Sequence, residues 1–276
     1  VLADSTLWGN HHLTYGIDII AWETSYEPDG VELSGEKATS SSAFVQDRIA
    51  VSDRFALIPG VRYDHYDIDS VTVDDDFDAV SGSLAAEWSP ISSLLLKVSG
   101  TQLFQGPEMN EVFIGAGYYD IPNPDIDEQT GYNAEFSLAY EDDLDGIGRL
   151  SGGFTLFQTQ IEDFIYEYAV SPDGEYWSDN VGDMEVAGAE VYAGYDIGEF
   201  SALLTYSTSE SELDAASGYM ELDGARIDRE QGDTFSLLLD YAIPQWNMVL
   251  HWDSLWVDDL GAGIDLDGPS LENSKE

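Results

Sequence analysis

The sequence contains no cysteine, which excludes both a disulfide framework and a thiolate metal site. Basic residues are nearly as scarce: nine Lys and Arg stand against 55 Asp and Glu, for a formal charge of -46. Such a chain has little with which to neutralise a phosphate backbone, so nucleic acid is excluded as a partner. No stretch offers 18 uncharged apolar residues, so no transmembrane helix is encoded. The chain opens on Val1 without a charged segment and apolar run, and no signal peptide is visible. Helical periodicity is almost absent. The four histidines fall in no His-x-x-x-His or His/carboxylate grouping with metal-site spacing. Neither a nucleophile elbow, a phosphate-binding glycine loop nor a pair of catalytic carboxylates is present, so the reading is not an enzyme.

What is there is period-two alternation. Hydrophobic content of 43% with 12% aromatic residues is too high for a disordered chain. Residues 12–23 place Leu13, Tyr15, Ile17 and Ile19 on one face; residues 54–66 do the same with Phe55, Leu57, Val61 and Tyr63. Pro59 interrupts that run, which predicts an edge, a bulge or a strand end there. Further strands are predicted over 42–51, 77–88, 93–103, 133–140, 149–163, 181–195, 200–208, 234–241 and 246–257. The total is about eleven strands of roughly ten residues.

The connections follow a rule. Short turns fall near residues 52, 90, 145, 197 and 244, and long connections near 28–40, 64–77, 104–130, 164–180 and 209–232. Short and long connections in strict alternation predict an all-β, antiparallel, up-and-down transmembrane barrel rather than a sandwich with Greek-key crossovers. Tyr15, Trp22, Tyr63, Trp88, Tyr140, Tyr195, Tyr206, Tyr241, Trp246, Trp252 and Trp256 lie mostly near strand ends, where barrels build aromatic girdles. An odd count would leave an unpaired edge in lipid. The expectation is therefore that residues 1–276 are part of one incomplete barrel domain, about half of a ~22-stranded plugged transporter, with an N-terminal plug and closing strands lying outside the chain.

The longest irregular stretch lies between Phe104 and Tyr140. A strand runs into Phe104-Gln105-Gly106-Pro107, about twenty irregular residues follow, and Asn123-Pro124-Asp125 turns the chain into a new strand. A loop of that length is expected to carry function. A second unusual stretch, Asp64 to Asp78, holds seven aspartates and no Lys or Arg. It lacks the Asp-x-Asp-x-Asp-Gly order of a calcium loop and reads as a solvated, self-repelling loop, with loose divalent binding as the alternative.

These motifs, in this order, resemble the barrel of TonB-dependent outer-membrane receptors over most of residues 11–276. Leu13-Thr14-Tyr15-Gly16-Ile17-Asp18 resembles that family's early barrel strand, and Ala43-Phe44-Val45-Gln46-Asp47 with Pro59-Gly60-Val61-Arg62-Tyr63-Asp64 resembles its next hairpin. Phe104-Gln105-Gly106-Pro107 stands where the family has Phe-Arg-Ala-Pro, followed by Glu111-Val112-Phe113 for Glu-Leu-Tyr. Asn123-Pro124-Asp125-Ile126 resembles its Asn-Pro-Asn-Leu box, with Glu128 and Glu135 in the usual places. Asn180-Val181-Gly182 and Gly188-Ala189-Glu190 resemble a later strand.

The resemblance implies energy-coupled uptake of a scarce iron-containing nutrient across the outer membrane of a Gram-negative bacterium. The implied partners are outer-membrane lipid and the inner-membrane protein TonB, which would be contacted through an N-terminal segment outside this chain. In the haem-receptor branch the two boxes flank a ligating histidine. Here none lies between them, and Gln105 replaces the family arginine. Tyr118 and Tyr119 are then the candidate iron contacts in that loop, with His65 as a second ligand from the acidic stretch, because tyrosine can hold haem iron. Haem stands slightly ahead of ferric siderophore as cargo; neither is a resident cofactor. Two other readings stand beside this one: a passive porin-like or surface-binding barrel, and a soluble acidic β-domain that binds cations.

Overall fold

The computed structural model describes residues 2–7, 9–26, 34–70, 73–112, 121, 123–227, 230–260 and 263–266. Twelve strands form one sheet: β1 (Leu2–Leu7), β2 (His11–Tyr26), β3 (Ser34–Ser52), β4 (Phe55–Asp69), β5 (Asp74–Ile91), β6 (Leu94–Gln105), β7 (Gln129–Leu144), β8 (Gly148–Val170), β9 (Tyr176–Ile197), β10 (Phe200–Ala215), β12 (Thr234–Ile243) and β13 (Met248–Val257). Each pairs antiparallel with its chain neighbours, and β1 and β13 stand at the two edges. Two short strands, β11 (Ala225–Arg226) and β14 (Ile264–Asp265), pair in parallel apart from it. The one α-helix among the described residues, α1 (Met109–Val112), is a single turn.

This is an up-and-down meander, as the alternation of connections predicts, and it is one strand richer. The additional strand is β1, whose six residues, Leu-Ala-Asp-Ser-Thr-Leu, alternate too briefly to announce themselves. Its partner register, Leu2 with Gly16 through Leu7 with His11, extends the sheet beyond β2.

The register sorts the side chains by charge. One face carries Tyr15, Ile17, Val45, Val61, Tyr63, Val80, Leu84, Val98, Phe136, Leu156, Val191, Leu204, Phe235 and Trp252, all exposed. An apolar band of that extent on a single sheet face is a surface made for lipid. The opposite, inner face carries Asp18, Arg48, Arg62, Glu87, Lys97 and Glu135, with Arg48 bonded to Glu87 at 2.8 Å and Arg62 to Asp64 at 2.8 Å. Asp47 departs from the pattern: it lies on the apolar face, where His11 Nδ1 approaches its carboxylate at 2.6 Å. Trp22 departs in the other direction. It sits opposite Ala38 on the inner face and so belongs to no outward girdle.

Two sequence expectations change. Pro59 does not mark an edge, because β4 lies between β3 and β5. Its missing N–H coincides instead with a gap in the β3–β4 ladder, whose register passes from Gln46/Gly60 to Ile49/Leu57. The stretch from Asp64 to Asp78 is mostly not a loop. Asp64 to Asp69 pair with Asp74 to Ala79, leaving a four-residue tip. The strands persist because Tyr66, Ile68 and Phe77 supply a buried inner face, while Asp67, Asp69, Asp74 and Asp76 take the solvated outer one. In the same way β8 and β9 run on to Val170 and Tyr176. The long rim is thus built of tall hairpins as much as of loops.

Among the described residues, both clusters of buried side chains lie at that rim. Ala38, Tyr66, Ile68, Val73, Phe77, Val112, Ile126 and Ile165 form one cluster, with Phe104 packed against it. Ala169, Val181, Met184, Leu213, Ala215, Tyr219, Ala225 and Leu266 form a second.

Candidate ligand-contact site at the long rim

Strand β6 delivers Phe104-Gln105-Gly106-Pro107 onto the inner face of β4. The Tyr66 hydroxyl donates to the Pro107 carbonyl at 2.6 Å, and Gly106 rides on the Tyr66 ring, where a Cβ would come within 2.3 Å of it. Only a residue without a side chain allows that approach. Gln105 Nε2 then donates to Glu108 Oε1 at 2.9 Å, and the Glu108 backbone N–H donates to Glu111 Oε2 at 2.5 Å. That bond closes the turn of α1 and drives Val112 into the cluster.

This packing leaves a carboxyl in an apolar place. Burial pushes Glu111 up to about 8; the Glu108 N–H draws it down, while the Glu108 and Glu167 charges raise it further. Burial also pushes Tyr66 up to about 12, with Glu111 and Glu108 adding to the effect.

The far end of the connection is pinned by amides. Asn123 Nδ2 donates to the Ser178 carbonyl at 3.0 Å and to Asp179 Oδ1 at 2.8 Å, while its own Oδ1 accepts from the Asp125 N–H at 3.1 Å. Asn180 mirrors it: Oδ1 accepts from the Asp127 N–H at 2.9 Å, and Nδ2 donates to the carbonyls of Asp127 and Asp163 at 3.2 and 2.6 Å. That last contact fixes Asp163 in the left-handed region, φ 57°, at a break in the β8–β9 register. The two sequence boxes, Phe104 to Pro107 and Asn123-Pro124, thus anchor the two ends of one connection on the inner face, with Phe104 and Ile126 meeting in one cluster.

Beside the first box lies a cavity of about 660 Å³ lined by Trp22, Arg62, Asp64, Tyr66, Phe104 and Gln105, among others. Arg62 is the cation there, and it is already engaged. Its Nη2 donates to Ser42 at 2.6 Å, its Nε to Asp64 at 2.8 Å, and Asp18 lies 3.6 Å from Nη1. A larger cavity near β10, about 1050 Å³, is rich in carboxylates, including Asp183, Glu185, Glu212, Asp214, Glu230 and Asp233, with Arg226 beside them. The field at this rim is strongly negative, and fields of this kind bias which solutes approach.

Of the sequence-predicted contacts, Tyr118 and Tyr119 lie outside the described residues. His65 lies on the outer face of β4, opposite Asp78 and turned away from Tyr66 and Pro107. Its Nδ1 is 3.1 Å from Asp78 Oδ1, which also accepts from the Tyr63 hydroxyl at 2.5 Å; hydrogen bonds from Tyr63 and then His65 hold Asp78 below its ordinary value. His65, Asp76 and Asp78 bring ligand atoms within 4.8 Å of one another. The structure therefore does not bring His65 to the inner-face boxes. Sequence reasoning missed Tyr66, Asp179 and Tyr219, and it placed Glu111 in a motif without giving it a role. Parity counted from Arg62 would have placed Tyr66 inward, and Asn180 already stood in a motif, but nothing local marks Tyr219.

Comparison with known proteins adds the following. Residues 3–270 match the family described as TonB dependent receptor-like, beta-barrel. The vitamin B12 transporter BtuB of Photobacterium profundum is 23% identical over 249 residues, covering 87% of this chain and 37% of that protein. Heme/hemopexin utilization protein C of Haemophilus influenzae (strain 86-028NP) is 21% identical over 201 residues, covering 63% and 28%. Among solved structures, the FrpB iron transporter from Neisseria meningitidis (F3-3 variant) superposes with a TM-score of 0.73 at 18% identity, over 95% of this chain and 42% of that one. The ferripyoverdine receptor of the outer membrane of Pseudomonas aeruginosa gives 0.60 at 15% identity, over 93% and 40%. The chain spans less than two fifths of the length of these two curated relatives.

Proposed function

This chain belongs to the TonB-dependent receptor-like β-barrel family, and from that premise we propose that the whole protein takes up an iron- or other metal-containing nutrient with energy supplied through TonB. The family's barrels sit in the outer membrane of Gram-negative bacteria, and so does this one; its members are receptors and transporters rather than enzymes. We read residues 1–276 as part of one barrel domain, with the plug and closing strands supplied by sequence outside it. The observation that carries the reading is the sheet itself. It is a twelve-stranded meander with an apolar outer band and a charged inner face, and one rim carries an anchored, inward-packed connection.

For cargo we place haem slightly ahead of ferric siderophore. The two boxes frame a connection that carries Tyr118 and Tyr119, and a phenolate suits ferric haem. A relative named for heme/hemopexin utilisation supports the same choice. The negative rim works against it, since haem propionates and most ferric siderophores are anionic and Arg62 is already paired. His65, on the outer face, would reach cargo only outside the barrel wall. The test is uptake by cells whose sole receptor of this class is the complete protein, offered haemin or ferric siderophores with and without TonB. Haemin uptake that needs TonB and falls in the Tyr118→Phe, Tyr119→Phe double variant supports the proposal. Uptake independent of TonB would make the protein a passive pore, and siderophore uptake without haemin would reassign the cargo.

A further inference from the structure

Asp179 stands where two separate rim connections meet. It lies on β9, and its two carboxylate oxygens face in different directions. Oδ1 accepts from Asn123 Nδ2 at 2.8 Å and from the Asn180 backbone N–H at 2.9 Å; Oδ2 accepts from the Tyr219 hydroxyl. Asn123 belongs to the connection between β6 and β7, and Tyr219 to the connection between β10 and β12. The Tyr219 oxygen in turn accepts from Trp177 Nε1 at 3.1 Å, so the phenol has its donor and acceptor roles fixed. Asn123 and Tyr219 are both buried, and Tyr219 packs in the second core cluster.

From this geometry we propose that Asp179 is a positioning residue that couples the Asn123-Pro124 turn to the β10–β12 connection, so that the two segments open and close against β9 as one unit. The reason lies in how a half-buried anion is satisfied. Each donor compensates part of one charge, and charge-assisted bonds strengthen where water is excluded. Losing either donor leaves the carboxylate short of partners, and water must then enter a site that the other donor shares. Each connection therefore holds more firmly while the other is in place. The phenol remains a donor across the physiological range, because burial first and the Asp179 bond second push Tyr219 up to about 12. The short 3-10 turn Met220–Leu222 and the bonds of Tyr219 N–H to Ala216 O and Gly224 N–H to Leu213 O carry the constraint along the second connection.

The inference deepens the proposed function, since cargo held by the β6–β7 connection would then be felt at the β10–β12 connection. Its test needs no cargo, so its outcome is separable from that of the uptake experiment. Hydrogen exchange of the complete receptor in detergent would be followed at residues 123–128 and 216–227. Coupling is reciprocal by thermodynamic necessity. Asn123→Ala should speed exchange at 216–227 by roughly fivefold or more, and Tyr219→Phe should speed exchange at 123–128 by a similar factor. The double variant should show less than the product of the two effects. Asp179→Asn, close to isosteric, should loosen both segments together. Variants that each disturb only their own segment, or an Asp179→Asn protein with both segments unchanged, would overturn the proposal.

Discussion

A single glutamate shows how finely the rim is balanced. Glu111 is held half-buried beside an apolar cluster by its own bond to the Glu108 N–H, so the closed connection holds a proton that the open one releases. The sign follows from the raised value. The stabilisation is complete below the ordinary carboxylate range and is lost as pH rises toward about 8, after which opening gets no easier. Exchange at 105–112, corrected for its intrinsic pH dependence, should therefore accelerate between pH 5 and 8, by no more than about tenfold per unit. Glu111→Gln should flatten the profile; a persistent slope in that variant would place the titration elsewhere. Gly106 is balanced sterically instead. A methyl group there must displace the Tyr66 ring and break its bond to Pro107, so Gly106→Ala should cost on the order of 1–3 kcal/mol of local closure. Pairing it with Tyr66→Ala should recover the steric part, which the same exchange measurement would register.

At the scale of elements, the β4–β5 hairpin sets like charges directly against each other. Asp67 faces Asp76 and Asp69 faces Asp74, an arrangement that opposes pairing. The buried inner residues Tyr66, Ile68 and Phe77 hold the register against that repulsion. Screening should relieve it: raising ionic strength from about 0.01 to 0.15 M shortens the Debye length from roughly 30 to 8 Å. Protection of residues 64–78 should rise over that interval, more than that of the β12–β13 hairpin, which sets no two like charges opposite each other. Equal responses in the two hairpins would show that the aspartate pairs are not what limits it.

Across the whole molecule, strand order and sidedness were legible because a half-wetted sheet must alternate, and because consecutive antiparallel strands need only turns between them. Leu13 to Ile19 and Phe55 to Tyr63 announced the outward band. Parity would also have separated Trp22 from Tyr15, yet proximity to a strand end grouped them. The heights of the hairpins were hidden, since Asp-rich and Gly-containing stretches read locally as loops while their pairing is decided by residues on the facing strand. The anchors of the rim were half legible. Phe104, Pro107, Asn123 and Pro124 stood in motifs, whereas Tyr66 and Tyr219 gain their roles only when distant segments are folded together.

The tall hairpins also have a consequence for how such a protein can change over generations. Above the apolar band, β8 beyond Glu162 has no strand neighbour to satisfy but its own hairpin partner, whereas β4 is paired with both β3 and β5 as far as Asp69. Insertions or deletions inside these arms are tolerable in twos, since an odd change would exchange the Asp67 face for the Ile68 face. Changes at the tips, 70–73 and 171–175, carry no such parity rule. Across natural variants, length differences within the arms should be even numbers, while those at the tips should take any value.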